Sequence, residues 1–213
     1  MAVRVDLMIS LDGYATTTDQ TPDSPFGEDW PRLTGAYAAT RTFRERVLQD
    51  TTGAGTTGID DDYAQAYFAD VGAEIMGAGM FGLHNLPDDP DWRGWWGEEP
   101  PFRCPVFVLT NQQRPAVEMA GGTTFHFLDT DPVEALQRAV SVAGGKDVRI
   151  GGGPTVVRSY LKAGLVDRLH VAIAPIVLGS GIRLWDDLRG LEARYTTLSE
   201  TAPSGTIHLS FRR

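Results

Sequence analysis

The sequence has little cysteine, no cluster of positive charge and no long apolar run. Cys104 is the single cysteine among 213 residues, so an internal disulfide is excluded. The formal net charge is −9, which would repel nucleic-acid backbones and anionic membrane surfaces. No apolar stretch reaches membrane-spanning length, and the amino terminus lacks the cleavage site of a signal peptide. We therefore expect a cytoplasmic protein with neither nucleic acid nor membrane as a partner.

The composition is that of a globular protein. Hydrophobic residues make up 42% and charged residues 22% of the chain, which favours one domain over residues 1–213. Strand and helix patterns alternate along the sequence, so we predict an α/β fold with a mostly parallel sheet and helices on both faces. The alternating segments Tyr195 to Thr201 and Thr206 to Arg212 flank Pro203-Ser204-Gly205 and predict a closing antiparallel hairpin.

Several further elements follow from spacing. Val3 to Leu11 predicts a first strand, and Leu33 to Gln49 predicts one helix. Asp60 to Asp62 are expected to cap a helix that continues to Asp70. Leu83 to Arg103, rich in Pro, Trp and Asp, is predicted to be a long loop.

The range Lys146 to Gly181 has the most informative local pattern. An apolar strand runs into Gly151 to Gly153, Pro154 then stands where helices favour their first residue, and Leu165 to Ala174 predicts a second strand. Free N–H groups and the helix dipole attract phosphate at such a turn. A plain strand-to-helix turn is equally compatible with the spacing. The pattern is not the Rossmann fingerprint, because Val156 stands where that fingerprint has Gly or Ala.

Three strand ends carry glycine turns: Asp12-Gly13, Gly77 to Gly79, and Gly151 to Gly153. Ligands of open α/β sheets bind outside the carboxyl ends of strands. If these three ends are neighbours, they line one cleft.

Six motifs follow one another in order along nearly the whole chain: Ser10-Leu11-Asp12-Gly13-Tyr14, Ile75-Met76-Gly77, Val106 to Thr110, Gly151-Gly152-Gly153, Gly164-Leu165-Val166-Asp167 and Pro175 to Gly181. In these motifs the chain resembles the dihydrofolate-reductase-like reductases, in the branch that includes the reductase domain of riboflavin biosynthesis. The resemblance implies a single-domain dihydrofolate-reductase-like fold, a hydride-transferring reductase, a small heterocyclic or carbonyl-type substrate and a homodimer.

The resemblance also implies NADPH, bound in an extended pose across the strand ends, and no metal. The nicotinamide would lie beside Met8 and the Asp12 loop, the phosphates at the two glycine turns, and the adenosine at the end of the strand Val106 to Thr110. The implied cofactor residues are Met8, Gly77, Ala78, Gly79, Met80, Leu109, Thr110, Asn111, Ile150, Gly151, Gly152, Gly153, Pro154 and Thr155.

The chain departs from the family pattern at two positions. Asp6 occupies the place of a lysine in the riboflavin-pathway reductase, which argues against its phosphoribosyl pyrimidine substrate. Ala78 replaces an arginine that usually follows the first glycine of that turn. A deazaflavin-dependent reductase and a non-catalytic nucleotide- or ligand-binding protein of the same fold therefore stay open as alternatives.

Side chains near the strand ends offer catalytic and substrate-binding candidates. Asp12 could relay a proton or orient substrate, although an acid before glycine often only caps a turn. Aromatic residues could stack on a flat heterocycle or merely anchor two loops; the candidates are Tyr14, Trp30, Phe81, Trp95 and Trp96. The histidines show no metal-ligand spacing, and an ordinary core or surface role is expected for His126, His170 and His208.

Overall fold

The computed structural model describes residues 1–21, 23–24, 26–83 and 89–213. Its strands are β1 (Val3–Ser10), β2 (Tyr14–Thr16), β3 (Val71–Gly77), β4 (Pro105–Leu109), β5 (Val117–Glu118), β6 (Thr124–Leu128), β7 (Asp147–Gly152), β8 (Arg168–Ala174), β9 (Ile182–Arg183), β10 (Thr196–Thr201) and β11 (Ile207–Arg212). Its α-helices are α1 (Trp30–Ala38), α2 (Arg41–Arg46), α3 (Ile59–Phe68), α4 (Ala78–Phe81), α5 (Pro132–Val142) and α6 (Pro154–Lys162).

Nine of these strands form one mixed sheet in the order β10-β11-β8-β1-β7-β3-β4-β6-β5. The pairs from β8 to β6 are parallel. The β10–β11 hairpin and its pairing with β8 are antiparallel, as is β5 with β6. The predicted α/β fold with a mostly parallel sheet and a carboxyl-terminal antiparallel hairpin is therefore confirmed.

The two faces of the sheet have different chemistry. On one face, Val3, Val5 and Ile9 of β1 join the main apolar core with residues of α5 and α6. On the other face, β1 presents Arg4 and Asp6, and Arg4 Nη2 donates to the backbone oxygen of Tyr67 in α3 at 2.7 Å. Helices thus cover both faces, as predicted, but α1 to α3 cover a face that is partly charged.

Local sequence explains where the helices start. Asp131 caps α5, its Oδ1 accepting from the backbone nitrogens of Val133 at 2.8 Å and Glu134 at 3.0 Å. Pro154 begins α6, and Gly164 follows its end with a φ of 68°. The strand–glycine–helix–strand unit predicted from the sequence is present as β7, α6 and β8.

Three predicted elements need correction. The single helix predicted over Leu33 to Gln49 is two helices, because buried Thr40 is extended, caps α2 and forms a bridge with Thr56. Asp60 to Asp62 lie inside the first turn of α3 rather than before it. The glycine-rich segment after β3 is a helical turn, α4. Of the predicted loop Leu83 to Arg103, residues 84–88, including His84, lie outside the described residues.

Within the described part of the chain, every helix is too short or too polar to cross a membrane.

Candidate active site

The three glycine turns lie side by side at the carboxyl ends of neighbouring strands. β1, β7 and β3 are adjacent and parallel, so their carboxyl ends point the same way, and β4 comes next. The three strand ends that carry the glycine turns are therefore neighbours, which was the condition for a single cleft. The end of β1, the β7–α6 turn, the β3–α4 turn and the end of β4 form one continuous row.

The three glycines between β7 and α6 are required for different reasons. A Cβ on Gly151 would overlap Oε1 of the buried Glu74, so this glycine makes room for a carboxylate of the fold. Gly152 has a φ of 131°, which strains any L side chain, and a Cβ there would lie 3.3 Å from Met80 Sδ. Gly153 has a φ of −71°, and a Cβ on it would meet no atom within 4 Å. Only Gly153 faces open space.

Two helix amino termini meet at these turns. Neither α4 nor α6 has a side chain that caps its first turn. A Cβ on Gly77 would lie 2.8 Å from Val156 Cγ2, so the two turns pack closely against each other. Backbone N–H groups of a first helical turn have no partner within the helix. The paired turns therefore offer uncapped donors to an anion.

The remaining predicted cofactor residues extend this row outward. Leu109 and Thr110 are half-buried at the end of β4, and Asn111 and Thr155 are exposed. Thr110 is held in place because its nitrogen donates to the Leu128 oxygen at 2.9 Å. Pro154 and Ile150 are buried and shape the turn from below.

A cavity of about 230 Å³ lies beneath the row, between the charged face of the sheet and helices α1 to α3. Three predicted cofactor residues line it: Met8, Met80 and Gly151. Two predicted substrate residues, Trp30 and Trp96, line it as well. The glycine turns and the aromatic cavity thus share a wall. Further lining residues are Asp6, Leu33, Tyr37, Phe43, Asp60, Tyr63, Tyr67, Phe102, His170 and His208.

The other predicted substrate residues have structural positions. Phe81 is fully buried in the second apolar cluster and packs against Phe125 and Phe127, so it presents no exposed surface for a substrate in this structure. Trp95 covers Gly82 and contacts Trp92 edge-on at 4.3 Å, which anchors the loop. The Arg183 guanidinium lies over the Tyr14 ring, 4.7 Å from the ring centre. Neither Trp95 nor Tyr14 lines the cavity.

Asp12 is held by the neighbouring loop. Its Oδ1 accepts from Ser10 Oγ at 2.6 Å and Leu178 N at 3.1 Å, and its Oδ2 accepts from Gly179 N at 2.7 Å. Its slight burial would raise the pKa of Asp12, but these hydrogen bonds lower it to about 2. An acid that stays ionised and fully engaged is suited to fix a loop rather than to give up a proton.

Sequence reasoning missed the polar floor of the cavity. Asp6, His170 and His208 stand on the neighbouring strands β1, β8 and β11. Hydrogen bonds join the two imidazoles to each other and to Asp6 and Asp60. Beside them, the Arg149 guanidinium pairs with buried Glu74 and stacks 3.7 Å from the Tyr67 ring centre. A signal existed: these side chains alternate with apolar ones along their strands, which marks one face of the sheet.

Metal and thiol chemistry find no support in this region. Among residues 1–21, 23–24, 26–83 and 89–213, no group of three or more His, Cys, Asp or Glu side chains is placed to hold a metal ion. Cys104 is buried, and burial raises its pKa to about 12. The thiol therefore stays protonated and packed.

Comparison with known proteins decides the family. The model of the RibD C-terminal domain matches residues 1–205. The chain belongs to this family. Among curated proteins, the riboflavin biosynthesis protein RibD of Mycobacterium tuberculosis is 34% identical over 58 residues, which are 27% of this chain and 16% of that protein. The match therefore spans only a small part of that relative's length.

Solved structures share the fold over the whole chain. A protein assigned to riboflavin biosynthesis from Shewanella sp. PV-4 aligns with a TM-score of 0.60 and 20% identity, covering 100% of this chain and 99% of that one. Dihydrofolate reductase of Enterococcus faecalis, solved with NADP(H), aligns with a TM-score of 0.50 and 11% identity, covering 100% and 96%. The dihydrofolate-reductase-like fold is thereby established for this RibD C-terminal domain.

Proposed function

We propose that the protein is an NADPH-dependent reductase that transfers hydride to a small planar heterocyclic or carbonyl-type substrate. One observation carries the proposal: the row of glycine turns and the aromatic cavity share the wall formed by Met8, Met80 and Gly151. A cofactor on the turns would present its reactive end to a molecule in the cavity. Family membership supports the reductase chemistry.

The turns have the properties that a dinucleotide phosphate needs. Gly153 leaves open space above the uncapped start of α6. The start of α4 lies against it. Gly77 to Met80 and Gly153 to Thr155 would hold the phosphates through backbone N–H groups, and Leu109 to Asn111 would receive the adenosine end. Reduced nicotinamide, when bound, supplies the hydride.

The cavity suits a flat and largely apolar substrate. Trp30, Tyr37 and Trp96 contribute aromatic surface, and Met8 and Met80 contribute flexible apolar surface. Asp6 stands on the floor where the riboflavin-pathway reductase has lysine. A phosphate near that carboxylate would be repelled, so we propose a substrate without phosphate at this end. The apolar walls exclude water and hold the reacting atoms close together.

Cofactor titration tests the proposal. Trp30 and Trp96 line the cavity, so quenching of tryptophan emission should report binding there. We expect NADPH to quench saturably, and a screen of planar ketones, imines and uracils to find a compound that accelerates NADPH oxidation. Binding of a reduced deazaflavin but not of NADPH or NADH would replace the proposed carrier. Binding of nucleotides without any NADPH oxidation would favour a non-catalytic binding protein.

A further inference from the structure

Four side chains on the cavity floor form a continuous hydrogen-bonded chain. His170 Nδ1 lies 3.3 Å from Asp6 Oδ1, His170 Nε2 lies 3.0 Å from His208 Nδ1, and His208 Nε2 lies 3.0 Å from Asp60 Oδ1. The imidazole planes are within 10° of each other. Tyr63 stacks on both rings at 4.2 Å and so covers one face of the pair. Every ring nitrogen is therefore engaged within the chain.

Counting the protons in this hydrogen-bonded chain of four side chains indicates its charge. Three contacts need three protons, because each joins two atoms that carry lone pairs. Two neutral imidazoles supply only two protons. A third proton is therefore needed, and with both carboxylates ionised it makes one of the two rings an imidazolium. Without it, either a carboxylate would face a bare nitrogen or the two rings would face each other with bare nitrogens, and both arrangements are unfavourable in a mostly buried site.

The neighbouring groups place the extra proton. Burial lowers the pKa of His208, and the hydrogen bond with Asp60 offsets this only in part. Burial alone would raise the pKa of Asp6, but the hydrogen bond from His170 and the charges of His170, Arg4 and Arg149 lower it. Asp6 is then ionised, and the extra proton lies on the imidazole pair between Asp6 and Asp60. Glu200 of β10 faces the far end, where its Oε1 accepts from Tyr63 Oη at 2.7 Å.

We propose that the chain Asp6–His170–His208–Asp60 stores the proton that the substrate takes up when it is reduced. This inference rests on the proposed reductase function. Asp6 is the outlet, because it stands on β1 two residues before Met8, on the side of the predicted nicotinamide site. His170 and His208 act through Asp6 and are positioning residues.

The proposed reduction conserves atoms and electrons. The substrate's unsaturated carbon gains a hydride, with its electron pair, from reduced nicotinamide, and the π electrons of the double bond move to the attached heteroatom. His170 Nδ1–H first passes its proton to the ionised Asp6 carboxylate, and Asp6 then passes that proton to the heteroatom and is ionised again. The nicotinamide is oxidised and the substrate is reduced. Both imidazoles are then neutral, and solvent restores the proton between Asp6 and His170 after product leaves.

The charge state can be measured without cofactor or substrate. In the ¹⁵N-histidine NMR spectrum of the full chain, we expect at pH 7 one imidazolium and one neutral ring for the His170–His208 pair. The Asp6→Asn variant should lose the extra proton at a lower pH, because an amide stabilises imidazolium less than a carboxylate does. Asp62→Asn is the matched control, since Asp62 is exposed in the same helical turn as Asp60 and changes net charge equally. His126 serves as an internal reference.

A kinetic measurement tests whether Asp6 passes the proton to the substrate. With the best substrate of the NADPH oxidation screen, Asp6→Asn should lower kcat by about 10²-fold to 10⁴-fold, the usual contribution of a positioned acid, without changing NADPH affinity. The wild-type rate should fall as pH rises through the apparent pKa of the chain, which belongs to the group as a whole. The variant should lose its rate at lower pH.

The outcomes separate the two proposals. Two neutral imidazoles at pH 7, or titration unaffected by Asp6→Asn, would overturn the proton store whether or not NADPH binds. Identical pH profiles of wild type and Asp6→Asn would overturn the outlet role. Absence of NADPH binding and oxidation, together with one imidazolium in the pair, would refute the reductase and the delivery step while retaining the charged chain.

Discussion

Gly153→Asp is the substitution that most directly probes the anion site. Gly153 precedes α6 as its cap residue with a φ of −71°, and a Cβ there meets no atom within 4 Å. Aspartate can therefore be accommodated and would itself cap the helix. Its carboxylate would occupy the position proposed for a cofactor phosphate. Gly152 is a poorer choice, because its φ of 131° would strain the backbone of any variant.

The size of the effect follows from electrostatics. A carboxylate about 5 Å from one phosphate charge, at an effective dielectric constant of about 20, is disfavoured by about 3 kcal/mol. This corresponds to more than about 100-fold in affinity. Gly153→Asn is the matched control, because asparagine has nearly the same shape, also caps helices and carries no charge. Both variants should unfold at or slightly above the wild-type temperature.

The assay is titration with NADPH at low and at high salt. We expect the aspartate variant to bind at least about 100-fold more weakly than the asparagine variant at low salt. The gap should narrow as salt rises, because the site is open and ions screen it. Equal affinities of two folded variants at low salt would refute the phosphate placement at α6.

Four further predictions concern other parts of the molecule. Ala78→Arg should tighten NADPH about tenfold to a hundredfold at low salt, since a charge-assisted hydrogen bond contributes about 1.5–3 kcal/mol; unchanged affinity would remove the phosphate from the Gly77 turn. Glu74→Gln should destabilise the protein by about 3–5 kcal/mol in urea unfolding, because the Arg149 charge would be left buried without its carboxylate partner. Glu134→Gln, at an exposed ion pair with Arg138, is the control and should leave the urea midpoint nearly unchanged. Asp12→Asn should lower stability by about 1 kcal/mol at pH 7 and by less as pH falls towards 2, where the wild-type carboxylate also loses its charge; unchanged stability with lost turnover would instead support a catalytic role. We propose a homodimer, because β10 is exposed along its whole length and Leu198 and Val177 are 61% and 62% exposed; light scattering that shows a monomer at micromolar concentration would contradict it.

The sequence predicted those elements whose signals are local. The strand–glycine–helix unit around Gly153 and the hairpin that closes the sheet combine turn residues with clear periodicity, so spacing alone located them. The helix break at Thr40 was missed because it depends on pairing with Thr56 sixteen residues away. No short-range pattern records such a contact.

The candidate site divides in the same way. Its glycine turns are local patterns and were predicted from the sequence. The family resemblance supplied the other predicted cofactor residues. Asp6, His170 and His208 come from three strands that lie far apart in sequence, and only the sheet order β11-β8-β1 joins them. Phe81 shows how a local pattern can point away from the position that the fold gives a side chain. An aromatic residue beside a glycine turn suggested a stacking surface, but the helical turn α4 directs it into the core.

We propose that one cofactor spans the glycine turns and meets the cavity at Met8. A crystal structure of the protein grown with NADP⁺ tests it most directly. We expect the diphosphate at the start of α6 beside Gly153, and the nicotinamide against Met8 at the mouth of the cavity above Asp6. A nicotinamide bound away from the cavity, or a cofactor that avoids both glycine turns, would contradict it.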